Sequence, residues 1–242
     1  MTHLYLIRHG EATSQMGEYL RDDGLTPLGV KQAERLRDRL AATGEIKADV
    51  LIASTLPRAR QTAEIIAPAF NLSIEFDDEL QELRIGEAEG MRVDEFKEKY
   101  GSTTLEDEPF RPMSPGGENW GQFVLRAATV LDHIIREYDK KSIVVVCHGG
   151  IIDSSFLYFF GMGTLTVPEV RFNTYNTSIT YWRKSSFGKG PARWRLIRYN
   201  DDLHVRDIDS STRIPWEALA RPGRRETGED KSHRPTTPQA EH

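Results

Sequence analysis

The hydrophobic positions of this chain fall into short unbroken runs and longer helical stripes that alternate along most of its length. Leu4 to Ile7 and Ile143 to Cys147 are apolar without alternation, the pattern of strands covered on both faces in a parallel sheet. Each run leads into a histidine followed at once by glycine, in Arg8-His9-Gly10-Glu11 and in His148-Gly149-Gly150. In open α/β sheets the ligand crevice lies beyond the carboxyl ends of such strands, where the chain turns into a helix. Two histidines delivered to one sheet edge, one of them beside an arginine, point to a site for an anion.

The rest of the pattern predicts an α/β fold. A helix opens at Thr26-Pro27 and runs to about Leu40, with Thr26 as its cap. Val50 to Ala53 reads as a buried strand, Pro57 to Phe70 as a helix, Ile74 to Phe76 and Glu79 to Leu83 as short extended segments. Val93 to Tyr100 reads as a short helix, and Gly101 to Gly117, polar and proline-containing, as a loop or lid. Glu118 to Tyr138 carries Phe123, Ala127, Val130, Leu131, Ile134 and Ile135 at helical spacing. Ile151 to Phe160 is the next helix, and Val167 to Phe172, Ser178 to Trp182 and Arg193 to Arg198 read as strands; alternation in the last pair marks a sheet edge. Residues 1–216 read as one domain. From about Trp216 the large apolar residues all but vanish, so 217–242 read as a tail without fixed structure.

Composition narrows the function. The 242 residues suffice for one large domain with a substantial core. A net charge of -5 provides no general attraction to nucleic acid or to an acidic membrane, so an anion must be held by a local cluster. Cys147 is the single cysteine, which excludes an intramolecular disulfide, and as a strand neighbour of His148 it faces the opposite way, into a buried apolar position. The amino terminus enters a strand directly and no long apolar run occurs, so the expected location is cytoplasmic, with no membrane partner.

Arg8-His9-Gly10-Glu11, Leu25-Thr26-Pro27-Leu28-Gly29, Ser54-Thr55-Leu56-Pro57-Arg58, Leu80 to Gly90, Pro115-Gly116-Gly117-Glu118, His148-Gly149-Gly150 and Asn176 to Thr180 follow one another in the order that resembles the histidine phosphatase superfamily, the group that includes the phosphoglycerate mutase-like enzymes. The resemblance covers roughly residues 3 to 205. It implies a three-layer α/β/α sandwich with a mostly parallel central sheet, and a phosphoryl-transfer site that needs neither cofactor nor metal. His9 is the implied nucleophile and Glu82 the implied acid.

Phosphate oxygens repel nucleophiles, so cationic donors must neutralise them and hold an in-line geometry. Arg8 and Arg58 offer planar forks of N–H donors, His148 adds a further donor, and the amides at Gly149, a phosphate-binding candidate, and at Gly150, opening a helix, contribute positive dipole. Glu82 is expected to protonate the departing alkoxide and then to activate water. A zinc site at His9, His148 and Glu82 is disfavoured by the flanking arginines. Glu87 and Glu89 read as solvated or structural, Glu11 as either a pocket or a surface carboxylate, Arg60 as half of a surface pair, Thr26 and Ser54 as caps, and His204 as structural; Asn176 either reaches the pocket or pins a loop.

Many relatives carry threonine at the position of Ala12 and asparagine at that of Gln15, which leaves the phosphate contact of Gln15 in question. Arg84 occupies a position where an acid is frequent, so it reads as a specificity residue or a solvated one. Phosphoglycerate-interconverting mutases of this family carry a longer, basic insertion before the long helix; here Met91 to Pro115 is short, and residues 105–109 within it are acidic. Hydrolysis of a small phosphorylated metabolite is therefore expected over mutase activity or phosphoprotein binding. Specificity is expected from Arg84, from the Met91–Met113 segment with Phe96, Tyr100, Phe110 and Arg111 as wall residues, and from Glu18-Tyr19. An exposed strand edge permits a homodimer without requiring one.

Overall fold

The computed structural model describes residues 1–209 except Gly17, Glu18, Thr103, Thr104, Glu106, Thr164, Arg171, Phe187 and Lys189. The expected tail, and Glu18 as a specificity residue, lie outside the described residues. The two strand–His–Gly runs become β1 (Thr2–Arg8) and β4 (Ser142–Cys147), which pair directly and in parallel from His3 opposite Ser142 to Arg8 opposite Cys147. β2 (Val50–Ser54) pairs with β4 and β3 (Ile74–Asp77) with β2, both in parallel. β5 (Ile179–Ser185) and the edge strand β6 (Arg193–Asp201) add two antiparallel pairings, giving the order β3-β2-β4-β1-β5-β6. The sheet is thus mostly parallel, as expected.

Strand parity builds the layers. Leu4, Leu6, Val145 and Cys147 face one core, shared with α4 (Trp120–Glu137) and α5 (Gly149–Phe160). Tyr5, Ile7, Val144 and Val146 face the other, shared with α1 (Pro27–Thr43) and α2 (Pro57–Ile66). Continued past the strand ends, the same alternation sends His9 and His148 toward the α2 side and Arg8 toward the α5 side. Helices on opposite faces leave the neighbouring strands β1 and β4, which makes their carboxyl ends the switch point where such sheets bind ligands.

Local signals explain the element ends. The Thr26 hydroxyl accepts the Gly29 N–H at 3.0 Å to start α1, and Gly44 closes it with φ +58. Asn119 and Gln122 form a reciprocal capping box at α4, whose expected apolar stripe is buried throughout. α3 (Val93–Tyr100) is short and has no buried residues. Among the described residues no helix is long and apolar enough to cross a membrane.

Three expected elements are corrected. Val167 to Phe172 is not a strand: its described residues have irregular or bent backbone and none of them pairs with the sheet, although Phe172 lies against Tyr199 of the edge strand β6. Glu79 to Leu83 is not extended throughout; a 3₁₀ turn over Asp78–Leu80 interrupts it, capped by the Asp77 carboxylate on the Glu79 N–H. The helix from Pro57 ends at Ile66, four residues early, where Pro68 forces a separate 3₁₀ turn over Ala67–Ala69.

Candidate active site

The turn after β1 sets the first histidine. Gly10 and Gly29 pack backbone to backbone so closely that a Cβ on either would strike a carbonyl oxygen, of Glu11 for Gly29 and of Gly29 for Gly10. The Gly10 N–H donates to Thr62 Oγ1 at 3.0 Å, tying this turn to α2. Thr26 Oγ1 donates to Glu11 Oε1, so Glu11 is engaged in the turn and does not reach into the site. His9, 3 % exposed, places Nδ1 2.7 Å from Gly10 O and Nε2 3.0 Å from Arg58 Nε. A carbonyl only accepts and a guanidinium N–H only donates, so the proton sits on Nδ1 and Nε2 keeps its lone pair. Burial, then Arg58 and Arg8, hold the His9 pKa well below the ordinary histidine value.

The second histidine meets the first from β4. The rings of His9 and His148 lie 5.2 Å apart between centroids. His148 is fully buried, with Nε2 2.8 Å from Ser54 Oγ and Nδ1 unpartnered among the described residues. Burial and the neighbouring Arg58 keep its pKa well below the usual value. Arg8 donates Nη1 to Thr174 O, while its buried Nε has no partner among the described residues. Two unsatisfied donors or acceptors beside a neutral imidazole are unusual in a protein interior and suit an incoming anion.

Glu82 arrives from the segment between β3 and α4. Its Oε2 accepts the Gly150 N–H at 3.0 Å and its Oε1 the Leu83 N–H at 3.1 Å. The Gly150 amide, at the positive end of α5, thus holds the carboxylate. Gly150 has to be glycine, since a Cβ would strike Glu82 Oε1 and the Phe123 ring. Arg126 of α4 clamps this segment, donating Nη1 to Glu79 O (2.6 Å) and Gln81 O (2.9 Å) and Nη2 to Glu82 O (3.2 Å). Its Nε and Nη2 also bind the two oxygens of Glu118 at 2.7 Å, and Glu118 Oε2 accepts the Arg84 N–H at 3.0 Å.

Other expected residues divide between the cleft and elsewhere. A cleft of ≈ 1040 Å³ is lined by Asp22, Arg58, Glu82, Arg84 and Glu89, among others. Arg84 is part of it, paired to Glu79 at 3.0 Å. Phe110 and Arg111 are not: Arg111 helps line a separate pocket, pairs with Glu108 and donates to Tyr100 O, while Phe110 stands exposed. The acidic Glu108 draws that arginine into its own loop and away from the cleft. The Gln15 carbonyl accepts from Ala12 N and Asn176 Nδ2, and Asn176 Nδ2 also reaches His9 O at 2.9 Å, so this amide pair pins the loop to the β1 turn. Arg60 pairs with Glu64 on the surface, and His204 bonds Thr177 Oγ1 at 3.0 Å, a structural place. Among the described residues no group of three or more His, Cys, Asp or Glu side chains is arranged to hold a metal.

Sequence reasoning passed over three residues at or near the site and read a fourth, Ser54, only as a cap. Asp22 Oδ2 lies 2.8 Å from Arg58 Nη1; nothing in Asp22-Asp23-Gly24 distinguishes it from its neighbour. Ser54, read as a cap, also contacts His148. Arg126 was one cation on a long helix. Asp153 did carry a signal, as the one acid in the otherwise uncharged helix Ile151 to Phe160.

A neutral imidazole between two arginines at the switch point of a mostly parallel sheet defines an anion site of the α/β class. The model of the histidine phosphatase superfamily (branch 1) matches residues 4–202, and the chain belongs to that family. It is 25% identical over 205 residues to the uncharacterized phosphatase PhoE of Bacillus subtilis, covering 85% of this chain and 97% of that one. It is 31% identical over 215 residues to a probable phosphoglycerate mutase GpmB of Erwinia tasmaniensis, covering 86% and 96%. A phosphoserine phosphatase mutant from Entamoeba histolytica, in complex with phosphoserine, superposes with a TM-score of 0.63 at 26% identity over 85% of this chain and all of that one.

Proposed function

We propose that this chain is a metal-independent phosphatase that hydrolyses small phosphate monoesters through a phosphohistidine on His9. The observation that carries the reading is the hydrogen bonding of His9, with Nδ1 on Gly10 O and Nε2 on Arg58. That tautomer presents a lone pair at neutral pH, beside guanidinium groups that match phosphate oxygens. Paired arginines disfavour a cation at the same place.

In the first step Nε2 attacks phosphorus in line, the ester P–O bond breaks, and the Glu82 carboxylic acid gives its proton to the departing alkoxide. In the second, the Glu82 carboxylate takes a proton from water as its oxygen attacks phosphorus. The N–P bond breaks, releasing inorganic phosphate and restoring neutral His9. Arg8, Arg58 and His148 neutralise the phosphoryl oxygens in both steps.

The GpmB-like relative raises a second reading, a mutase that returns the phosphoryl group to the bound glycerate. Such transfer requires a bisphosphate to reorient under water exclusion. The segment that would wall it, α3 and the loop after it, is short, exposed and partly acidic, which favours hydrolysis. Release of inorganic phosphate from p-nitrophenyl phosphate in the presence of chelator, abolished in His9→Ala, with an acid-labile phosphoenzyme trapped by rapid quench, is the expected result. Isomerisation of 3-phosphoglycerate dependent on 2,3-bisphosphoglycerate, with little phosphate release, would establish the mutase instead.

A further inference from the structure

Among the described residues Thr177 is the only β-branched one with a positive φ, at +57. A branched Cβ fits that left-handed region badly, and such a backbone persists only where its surroundings hold it. Thr177 is fully buried, and its N–H is shared between Arg8 O at 3.0 Å and His9 O at 3.3 Å. Asn176 Nδ2 adds a second donor to His9 O at 2.9 Å. The same segment accepts the Arg8 N–H on Ser178 O at 3.3 Å and Arg8 Nη1 on Thr174 O. Thr174 to Ser178 is thus a cradle for the end of β1, holding Arg8 by backbone and side chain and His9 by its carbonyl. The other edge of the His9–Gly10 peptide is gripped by Thr62, which accepts the Gly10 N–H. Fixing this planar unit aims the next carbonyl, Gly10 O, at His9 Nδ1.

The cradle is held in turn from the end of β6 and the residues after it. Asn200 anchors its start, accepting the Tyr175 N–H on Oδ1 at 2.7 Å and donating Nδ2 to Asn173 O at 2.7 Å. Thr177 depends on His204, whose Nε2 lies 3.0 Å from Thr177 Oγ1 and whose Nδ1 lies 3.4 Å from Arg39 Nη1. Burial, then Arg39, keeps this ring neutral, and a guanidinium only donates. Nδ1 therefore accepts, and the ring proton sits on Nε2 and goes to Thr177 Oγ1. The Thr177 hydroxyl gives its own hydrogen to Asn176 O at 2.7 Å. Arg39 is itself fixed by Glu45 and Asp201, each at 2.7 Å. Hydrogen bonds thus run in one sense from this ion-pair cluster through His204 to the turn that holds His9.

We propose that His204 is a positioning residue for phosphoryl transfer: through the Thr177 hydroxyl it locks the strained turn that fixes where His9 and Arg8 stand relative to phosphorus. The assignment rests on the phosphatase reading of the cleft. His204 touches neither the substrate nor the nucleophile and acts only through the cradle.

The test is made on the full chain with p-nitrophenyl phosphate. His204→Ala should lower kcat about tenfold, the worth of one hydrogen bond, and change KM less than about twofold. KM is spared because Arg58 is held separately, by Asp22. His204→Gln, whose amide stands in for Nε2–H, should recover most of the loss, whereas His204→Leu, which only fills the space, should not. Thr177→Gly removes the hydroxyl at a φ that glycine adopts freely and should slow the enzyme as much as His204→Ala. The double variant should be no slower than either single one, since both break the same link. In ring-labelled ¹⁵N NMR, with His9 assigned by difference from His9→Ala, the unaltered chain should show one Nδ1–H tautomer and His204→Ala an average of two. Unchanged kcat in His204→Ala, rescue by leucine, or losses that multiply in the double variant overturn the proposal. Failure of the phosphatase reading has a separate sign: the unaltered chain releases no His9-dependent phosphate, while the His9 ring signal still responds to His204→Ala.

Discussion

Asp22 Oδ2 lies 2.8 Å from Arg58 Nη1, on the guanidinium whose Nε faces His9 Nε2 at 3.0 Å. Both partners of the pair are nearly buried, and the Arg58 backbone N–H also approaches Asp22. Asp22 thus orients the arginine that orients the histidine, while drawing off part of that arginine's positive charge.

These two effects separate in kinetics. In Asp22→Asn the freed guanidinium should bind inorganic phosphate more tightly, seen as a lower product-inhibition constant. Looser aim at His9 should lower kcat about tenfold, roughly one charge-assisted bond. An unchanged kcat would show that Arg58 keeps its orientation without the carboxylate.

Gly150→Ala tests the seat of Glu82. The added methyl would strike Glu82 Oε1 on one side and the Phe123 ring on the other, and Phe123 is locked in the core. The carboxylate is the mobile partner and should yield. We expect kcat to fall by about 10²-fold, the range of a lost general acid, with vanadate affinity nearly preserved because the phosphate donors are elsewhere. A proportional loss of vanadate binding would place Gly150 among the phosphate contacts after all.

Arg126→Met addresses the clamp behind the same segment. The side chains of Arg126 and Glu118 are 7% and 14% exposed, and three carbonyls besides Glu118 depend on this one guanidinium. Breaking such a pair leaves an uncompensated carboxylate, at a cost of about 3 kcal/mol. Urea denaturation should show that loss. Arg126→Met with Glu118→Gln together should recover part of it, since no buried charge is then left alone.

Protonation should destabilise the fold below about pH 6.5, the ordinary histidine value. His9 and His148 are held neutral by burial and by arginines, and burial brings His204 down to about 4. The unfolded chain takes up these protons and the folded chain refuses them, so stability rises with pH through this window, by about 1.4 kcal/mol per histidine per unit at full slope. Asp153, raised to about 7, binds a proton in the folded state and opposes the trend with one group against three. Tm should therefore drop steadily from pH 7 to pH 5, and less steeply in His204→Gln. A flat profile would contradict neutral buried histidines.

How much of this was legible beforehand varies with the residue. The unbroken runs before His9 and His148 determined that both strands are buried on two faces and that both histidines reach a sheet edge, because a two-sided strand tolerates no polar position until it ends. Strand parity alone places Cys147 in the core, where it is found. The cap of α1 was equally local, written in Thr26-Pro27. What the sequence could not reveal was partnership across distance. That the Gly150 amide holds Glu82 and not phosphate, that Asp22 grips Arg58, that Arg111 turns to Glu108, and that Asp153 and Trp120 share a cavity all depend on which segments the sheet order brings together. Periodicity reports the environment a residue needs. Only the packed structure decides which neighbour supplies it.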